Sequence, residues 1–471
     1  MAVAFADFVR GLRHEDIPED ARRVMRRSFL DTIGVAAVGS TTANSAIARR
    51  CADALWRSGP DVGSARMILD GGRVSPAGAA FMGAATIDAI DAHDGSSPAR
   101  GHAGSAVFPS LLAMVDAQAQ LGRRLDGRAL LTLLAIGYET SYRAGLAQHA
   151  TCADYHTSGA WTAVGVAAMA ARMLDADANI LRHAVGIAEY HGPRSQMMRC
   201  IDHPTMLRDG VAWGAPSGVI AAYLASMGFT GAPAITIEGE AAAPFWSDLG
   251  AAWRIVEHTH YKRYPVCRWA HPAIDAVREL MIENSLTSKD LAKVLIRTFH
   301  YATRLAGRDP RTLDEMTYAI IYPVATMAAR GRIGVDELRP DVLLDPEIRR
   351  VAALTDLVES DHYTKISIAK RWADVVLTTT DGRVLQSSPK TPKGDPDDPL
   401  SDAEISQKFH AFADPILGRG NAQEIETASN ALDSLSASEL ERVLSLVLER
   451  PKSATIADAT AGERGASAVA A

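Results

Sequence analysis

The residue types that can move protons or grip anions fall in four polar breaks between long apolar stretches. The densest is Asp91-Ala92-His93-Asp94-Gly95-Ser96-Ser97-Pro98-Ala99-Arg100-Gly101-His102. A solvated loop would use the same residues, whereas a pocket lip would use His102 and Arg100 to meet an anionic ligand. Asp154-Tyr155-His156-Thr157-Ser158 directly precedes an apolar run. The free N–H groups of a helix start attract anions, and His156 beside them suits acid or base work, although a capping histidine would look alike. The stretch 194–209 carries Arg194, Arg199 and Arg208; arginines solvate surfaces, and they also fork onto carboxylates. Finally, Tyr261-Lys262-Arg263-Tyr264-Pro265 continues through Cys267 and Arg268 to His271, at a change of sequence texture where ligand sites tend to lie.

Other chemistries lack their signatures. There is no G-x-G-x-x-G after a strand, no P-loop, no H-E-x-x-H and no G-x-S-x-G. His258 and His260 follow Glu257, but their spacing suits a solvated turn better than a metal site. Cys51, Cys152, Cys200 and Cys267 are scattered without C-x-x-C spacing, which reads as free thiols in a reducing cytosol. No metal or cofactor is called for. Taken alone, the clusters imply a small polyanion bound in a polar cleft.

The elements that must position these clusters are mostly helices. Pro18-Glu19-Asp20 opens a helix whose apolar residues Met25, Phe29 and Ile33 recur at helical spacing, ending at Gly39-Ser40. Similar runs follow at 43–58, 75–91, 105–119, 127–147, 158–174, 177–190 and 211–227, with Gly or Pro at most joints. Nothing before residue 260 alternates with period two, so residues 1–264 read as the first part of a large all-helical domain. Residues 293–301 (KVLIRTFHY) then alternate like a half-buried strand, and 373–385 reads as a hairpin turning at Asp381-Gly382. With helices expected at 318–330 and 346–354, residues 265–392 form a smaller α+β lid domain. The segment 387–400 is a Pro/Asp-rich linker, and Ser401 to Glu404 carries a capping-box pattern. Helices from 393 to 450 return to pack on the helical domain, and the Ala/Ser/Gly-rich tail 451–471 is expected to be disordered. The fold class is therefore mainly α.

Bulk properties narrow the partners. The chain has 471 residues, 47% hydrophobic, 22% charged and 6% aromatic, with net charge −7. No basic surplus exists to neutralise a nucleic-acid backbone. The apolar stretches 161–174 and 211–229 are short and rich in Ala and Gly, so they read as buried helices and not membrane spans. The N-terminus lacks the apolar core of a signal peptide, and a cytoplasmic location is expected.

Several stretches together resemble the MmgE/PrpD superfamily: IPEDARRVMRRSFLDTIGVAAVG, DAIDAHDGSSPARGHAGSAVFPSLLA, YHTSGAWTAVGVAAMAARML, MLRDGVAWGAPSGVIAAYLASMGFTG, YKRYPVCRWAHPAIDA and SDAEISQKFHAFADPILG. Their order and spacing carry the resemblance from about residue 4 to 448. It implies a homodimer of helical domain plus α+β lid, with the site in the cleft between, and a small polycarboxylate as substrate. It places the site aspartate on Asp91, the loop histidine on His102 and the histidine before the central helix on His156. The lid motif contributes Lys262, Arg263 and His271, and the lid-helix tyrosine falls on Tyr322. Two departures stand out. The usual paired acids are His93 and Asp94 with Gly95 in place of Thr or Ser, and a basic position usually filled by Lys is Arg208. Arginine cannot shuttle a proton at neutral pH, so Arg208 reads as a carboxylate clamp. The implied division has Arg100, Arg208, Lys262, Arg263 and His271 binding carboxylates. His102 and His156 are the acid/base pair, Asp91 orients one of them, and Tyr322 donates from the lid. The implied activity is a metal-independent hydro-lyase acting on an acid of the 2-methylcitrate or citrate type. An epimerase of a substituted succinate, a cis-aconitate-type decarboxylase and an inactive binding homologue are its alternatives.

Overall fold

The computed structural model describes residues 2–368 and 370–451; the remainder of the expected tail lies outside the described residues. The first 230 residues are a packed set of helices: Glu19–Gly39, Ala43–Leu55, Pro76–Asp88, Gly104–Gln120, Gly127–Thr151, Gly159–Met173, Ala178–His191 and Val211–Ser226. Each follows one of the apolar runs. Ser75, Asp126 and Asp177 cap three of them by accepting the backbone N–H groups of Gly78, Ala129 and Ile180. Small residues let the central helices approach closely. A Cβ on Gly214 would stand 2.5 Å from the Gly159 carbonyl oxygen, and one on Gly218 would stand 2.6 Å from that of Ala163. Side chains at these crossings would force Val211–Ser226 away from Gly159–Met173.

Two short antiparallel ladders interrupt this otherwise helical portion: Ala65–Arg66 with Arg73–Val74, and Gly95–Ser96 with Thr259–His260. At two residues each they are too short to show an alternating pattern. The second matters most, because it holds the loop after Pro76–Asp88 against the segment that leads to Lys262.

The smaller α+β portion is built on a four-stranded mixed sheet in the order Thr355–Glu359, Leu291–Thr298, Ala373–Thr379, Val384–Gln386. Leu291–Thr298 runs parallel to Thr355–Glu359 and antiparallel to Ala373–Thr379. The expected hairpin forms at Asp381-Gly382, with Gly382 at φ 89°. The expected strand 293–301 starts earlier and stops at Thr298, because a helical turn, His300–Thr303, begins there. The Pro/Asp-rich segment is no free linker. The Tyr261 N–H donates to the Gly394 carbonyl at 3.1 Å, and Arg268 pairs with buried Asp395 at 2.6 Å.

Helix Asp402–Leu417 opens with the expected capping box: Ser401 Oγ accepts from the Glu404 N–H and Glu404 from the Ser401 N–H. It packs along Glu19–Gly39, and Lys408 Nζ reaches both Asp31 Oδ1 and the Ala92 carbonyl at 2.7 Å. Lys408 and Asp31 are buried, so each charge depends on the other. Removing one partner of such a pair costs about 3–5 kcal/mol, whereas an apolar replacement of both is near neutral. Lys408→Met is therefore expected to lose about 3–5 kcal/mol in urea unfolding, and Asp31→Leu combined with Lys408→Met to regain most of it.

Candidate active site

Helix Pro76–Asp88 ends in a chain turn that places Asp91 at φ 52°. Two further residues of the polar clusters, Arg100 at φ 58° and Arg208 at φ 44°, also adopt left-handed backbone. Such conformations cost energy for bulky residues and persist where surrounding structure enforces them. Around them lies a cavity of about 50 Å³ lined by residues from both portions: Asp91, Arg100, His102, Tyr155 and Asp209 from the helical side, with His260, Lys262, Cys267, Arg268, Trp269, Tyr318 and Arg371.

The loop 88–102 is buried almost throughout, so its polar groups must be paired. His93 Nε2 meets Asp88 Oδ1 at 2.9 Å, and the Tyr138 hydroxyl donates to Asp94 Oδ2 at 2.8 Å. Lys262 Nζ sits 2.5 Å from Asp91 Oδ1. His102 Nδ1 lies 2.7 Å from the Asp94 carbonyl, which can only accept, so the ring proton is on Nδ1 and Nε2 keeps its lone pair. Burial, reinforced by Lys262 and His93, holds His102 well below the usual histidine range, so it is neutral. Its Nε2 lies 3.5 Å from Asp209 Oδ2. Asp209 accepts a hydrogen bond from Ser158 Oγ at 2.9 Å, and Ser158 Oγ also accepts the His102 N–H at 3.0 Å. Burial and the nearby Asp88 and Asp91 push Asp209 up to about 7. Near neutrality the site thus holds a neutral imidazole base beside a carboxyl group that retains a proton. Burial raises Tyr318 well above its usual range and Cys267 to about 12, so both are protonated.

The cations are arranged asymmetrically. Lys262 has Asp91 and Arg268 has Asp395. Arg100 stacks on Tyr155 with its guanidinium carbon 5.6 Å from the ring centroid, and Arg371 on Phe299 at 5.7 Å. Neither arginine pairs with an acidic group among the described residues. Two guanidiniums without a counter-ion at a cavity mouth are suited to carboxylate ligands.

Of the residues expected from sequence, Asp91, Arg100, His102 and Lys262 come together here. The others do not line the cavity. His156 lies in an extended stretch bridged to Gln196; Tyr155 next to it faces the cavity, and successive side chains of such a stretch point to opposite sides. Arg263, in the bend after Lys262, turns instead to Asp275 and Glu404 at 3.2 Å each. Arg208 pairs with Asp314 at 2.7 Å and donates to Thr317 Oγ1 at 3.2 Å, and its guanidinium stacks on the Tyr318 ring. It positions Tyr318 instead of clamping a ligand. His271 Nε2 meets the Val266 carbonyl at 3.1 Å inside the lid core. The Tyr322 hydroxyl donates to the Val342 carbonyl at 2.7 Å, and Tyr318, in the turn between helices Leu313–Thr317 and Ile321–Arg330, occupies the cavity wall.

Asp209, Cys267 and Arg268 belonged to the polar clusters but carried no signal that set them apart from their neighbours. His260 was read as a solvated turn, and Arg371 sits in no motif. The departure at Gly95 has a steric cause. A Cβ there would stand 2.5 Å from His102 Nδ1 and 2.9 Å from His260 Nε2, leaving no room for Thr or Ser.

Asp91, His93 and His102 offer ligand atoms within 4.8 Å of one another. The fit to a cation is poor: the Lys262 ammonium already occupies Asp91, His93 is engaged by Asp88, and His102 is fixed through Asp94. A metal ion would have to sit against the ammonium.

Comparison with known proteins places the whole arrangement in context. The MmgE/PrpD N-terminal domain model matches residues 3–245, and the MmgE/PrpD C-terminal domain model residues 264–434. The cis-aconitate decarboxylase-like protein oryM of Aspergillus oryzae is 23% identical, covering 93% of this chain and 96% of that protein. The cis-aconitate decarboxylase of Homo sapiens is 23% identical over 92% of each chain, and that of Aspergillus terreus 22% identical over 90% of this chain and 91% of its own.

A raised carboxyl pKa is also a stability statement. Between pH 4 and pH 7 the unfolded chain releases the Asp209 proton while the folded chain keeps it, so this group lowers stability as pH rises through that window and the penalty is complete above about 7. Asp209→Asn keeps an acceptor for Ser158 and has no such proton. Its melting temperature relative to wild type is expected to rise steadily from pH 4 to pH 7 and then level off. A difference that is flat with pH would contradict the assignment.

Proposed function

The chain belongs to the MmgE/PrpD family, and from that premise we propose that it is a metal-independent lyase acting on a small polycarboxylic acid of the citrate type, with dehydration as its reaction. The observation that carries this reading is the couple of neutral His102 and protonated Asp209 in a cavity bordered by Lys262, Arg100 and Arg371. Elimination of water needs both halves of that couple. His102 Nε2 takes the proton from the carbon next to a carboxylate. The electron pair left behind is stabilised by Lys262 and by the Tyr318 hydroxyl, which makes no hydrogen bond with a described residue. The neighbouring C–O bond then breaks, its electrons leave with the hydroxyl, and Asp209 supplies the proton that makes it water. Arg100 and Arg371 hold the remaining carboxylates. Asp91 keeps the Lys262 ammonium in place at 2.5 Å.

A second reading is favoured by the relatives, whose names are those of cis-aconitate decarboxylases. In it the same couple delivers a proton to carbon as the C–C bond to a carboxylate breaks and carbon dioxide leaves. No described helix is long and apolar enough to cross a membrane, which agrees with action on a soluble acid.

The two readings separate in one experiment. Chelator-treated protein in deuterated water, mixed in turn with citrate, 2-methylcitrate, cis-aconitate and substituted succinates, is followed by proton NMR. Dehydration is expected to yield an unsaturated product from a hydroxy acid, with solvent deuterium entering that acid as the reaction reverses. Carbon dioxide from cis-aconitate would put decarboxylation first, and deuterium exchange with inversion and no net loss would mean epimerisation. If no acid exchanged and none raised the melting temperature, the chain would be no enzyme of this class. With the reactive acid in hand, His102→Gln is expected to lower kcat by about 10²–10⁴-fold. Tyr318→Phe should lower kcat while Tyr322→Phe leaves it within about threefold, as the Tyr322 hydroxyl is spent on Val342.

A further inference from the structure

A second cavity adjoins the inner one at its two arginines. Arg100, Tyr155, Trp269 and Arg371 also line a second cavity of about 370 Å³, whose remaining walls are Phe299, His300, Tyr301, Thr364, Ser367 and Ile368. These four side chains, the neck, stand between the two spaces. At about 50 Å³ the inner space has room for roughly four water-sized groups, enough for a carboxylate and the reacting carbons but not for a long molecule. A substituent that reaches from the inner space to the outer one must pass between these side chains.

The outer space has a different character. Trp269 meets Phe299 edge-on with ring centroids 5.5 Å apart, and Tyr301 lies 6.5 Å from Trp269. The three rings form a continuous aromatic wall, and Ile368 opposes it with 77% of its surface exposed. The polar groups of this wall are already engaged. His300 Nδ1 and Thr364 Oγ1 both bind Glu359 at 2.9 Å, and Ser367 Oγ accepts the Trp372 N–H at 3.2 Å. Arg371 turns its Nη1 to the carbonyls of Ser367, Ile368 and Lys370. Beyond the neck, the lining offers apolar surface and no unengaged cation among the described residues.

We propose that the substrate of this site carries an apolar substituent of three or more carbons. Its carboxylates occupy the inner cavity and the neck, and the substituent lies against Trp269, Phe299, Tyr301 and Ile368. The proposal rests on the acid-binding reading above and makes it narrower: citrate itself is a poor fit, and a 2-alkylated citrate or an acid of similar build is a good one.

Binding of citrate and of 2-alkylcitrates with one-, four- and six-carbon chains, measured by calorimetry on the full chain, tests it. Each methylene buried on the wall is expected to tighten binding by roughly two- to fourfold. Ile368→Ser, at an exposed position that does not reach the inner cavity and adds no charge beside Arg371, is expected to reduce the gain with chain length while leaving citrate affinity within twofold. Affinity that is flat or falls with chain length, while citrate binds, would overturn the outer-cavity proposal and leave the acid-binding reading standing. A chain-length gain left unchanged by Ile368→Ser would also overturn it. Failure of every member to bind would overturn both.

Discussion

A polar segment, residues 88–102, is buried between apolar helices, and the molecule is arranged so that this burial is tolerated. Unpaired charges in such a place would cost several kcal/mol each. The partners therefore arrive from far along the chain: Tyr138 for Asp94, Lys262 for Asp91, Ser158 for the His102 N–H, and Lys408 for the Ala92 carbonyl. Helices 127–151, 159–173 and 402–417 and the entry to the smaller portion thus converge on one loop. The site is where their constraints meet.

The same pairing rule divides the charged residues by role. Arginines that found acids, such as Arg208 with Asp314 and Arg263 with Asp275 and Glu404, hold one part of the structure against another. Arg100 and Arg371 stack on rings and meet no acid among the described residues, which is the basis for assigning them to a ligand in the proposed reaction. The short ladder between Gly95–Ser96 and Thr259–His260 brings His260 and Lys262 to the loop. Its tightness accounts for the glycine at position 95, where any side chain would collide with His102.

Burial also sets the proton chemistry. His102 is kept neutral by desolvation and by the Lys262 charge, and Asp209 is kept protonated to about 7 by desolvation and by Asp88 and Asp91. Opposite shifts on two groups 3.5 Å apart give an acid and a base at the same pH. The elimination proposed above needs both.

The helices, their caps and the hairpin at Asp381-Gly382 were legible in the sequence because local periodicity and turn chemistry decide them. The polar clusters that form the site were legible too, since ionisable residues do not otherwise gather between apolar helices, and Asp91, Arg100, His102 and Lys262 stand where those clusters placed them. Tertiary structure alone decided which member of each cluster faces the cavity. In the extended stretch at 155–156 neighbouring side chains point to opposite sides, so Tyr155 faces in while His156 faces out; at the bend after His260, Lys262 faces in while Arg263 is drawn to Asp275 and Glu404, and only contact with distant segments decides either case. In the lid, Tyr318 follows the short helix Leu313–Thr317 and Tyr322 lies in the next, Ile321–Arg330, and which of them keeps a free hydroxyl depends on the position of Val342. Arg371 carried no signal for the same reason: what sets it apart is the absence of a paired acid among the described residues, a property of the folded surroundings and not of the chain.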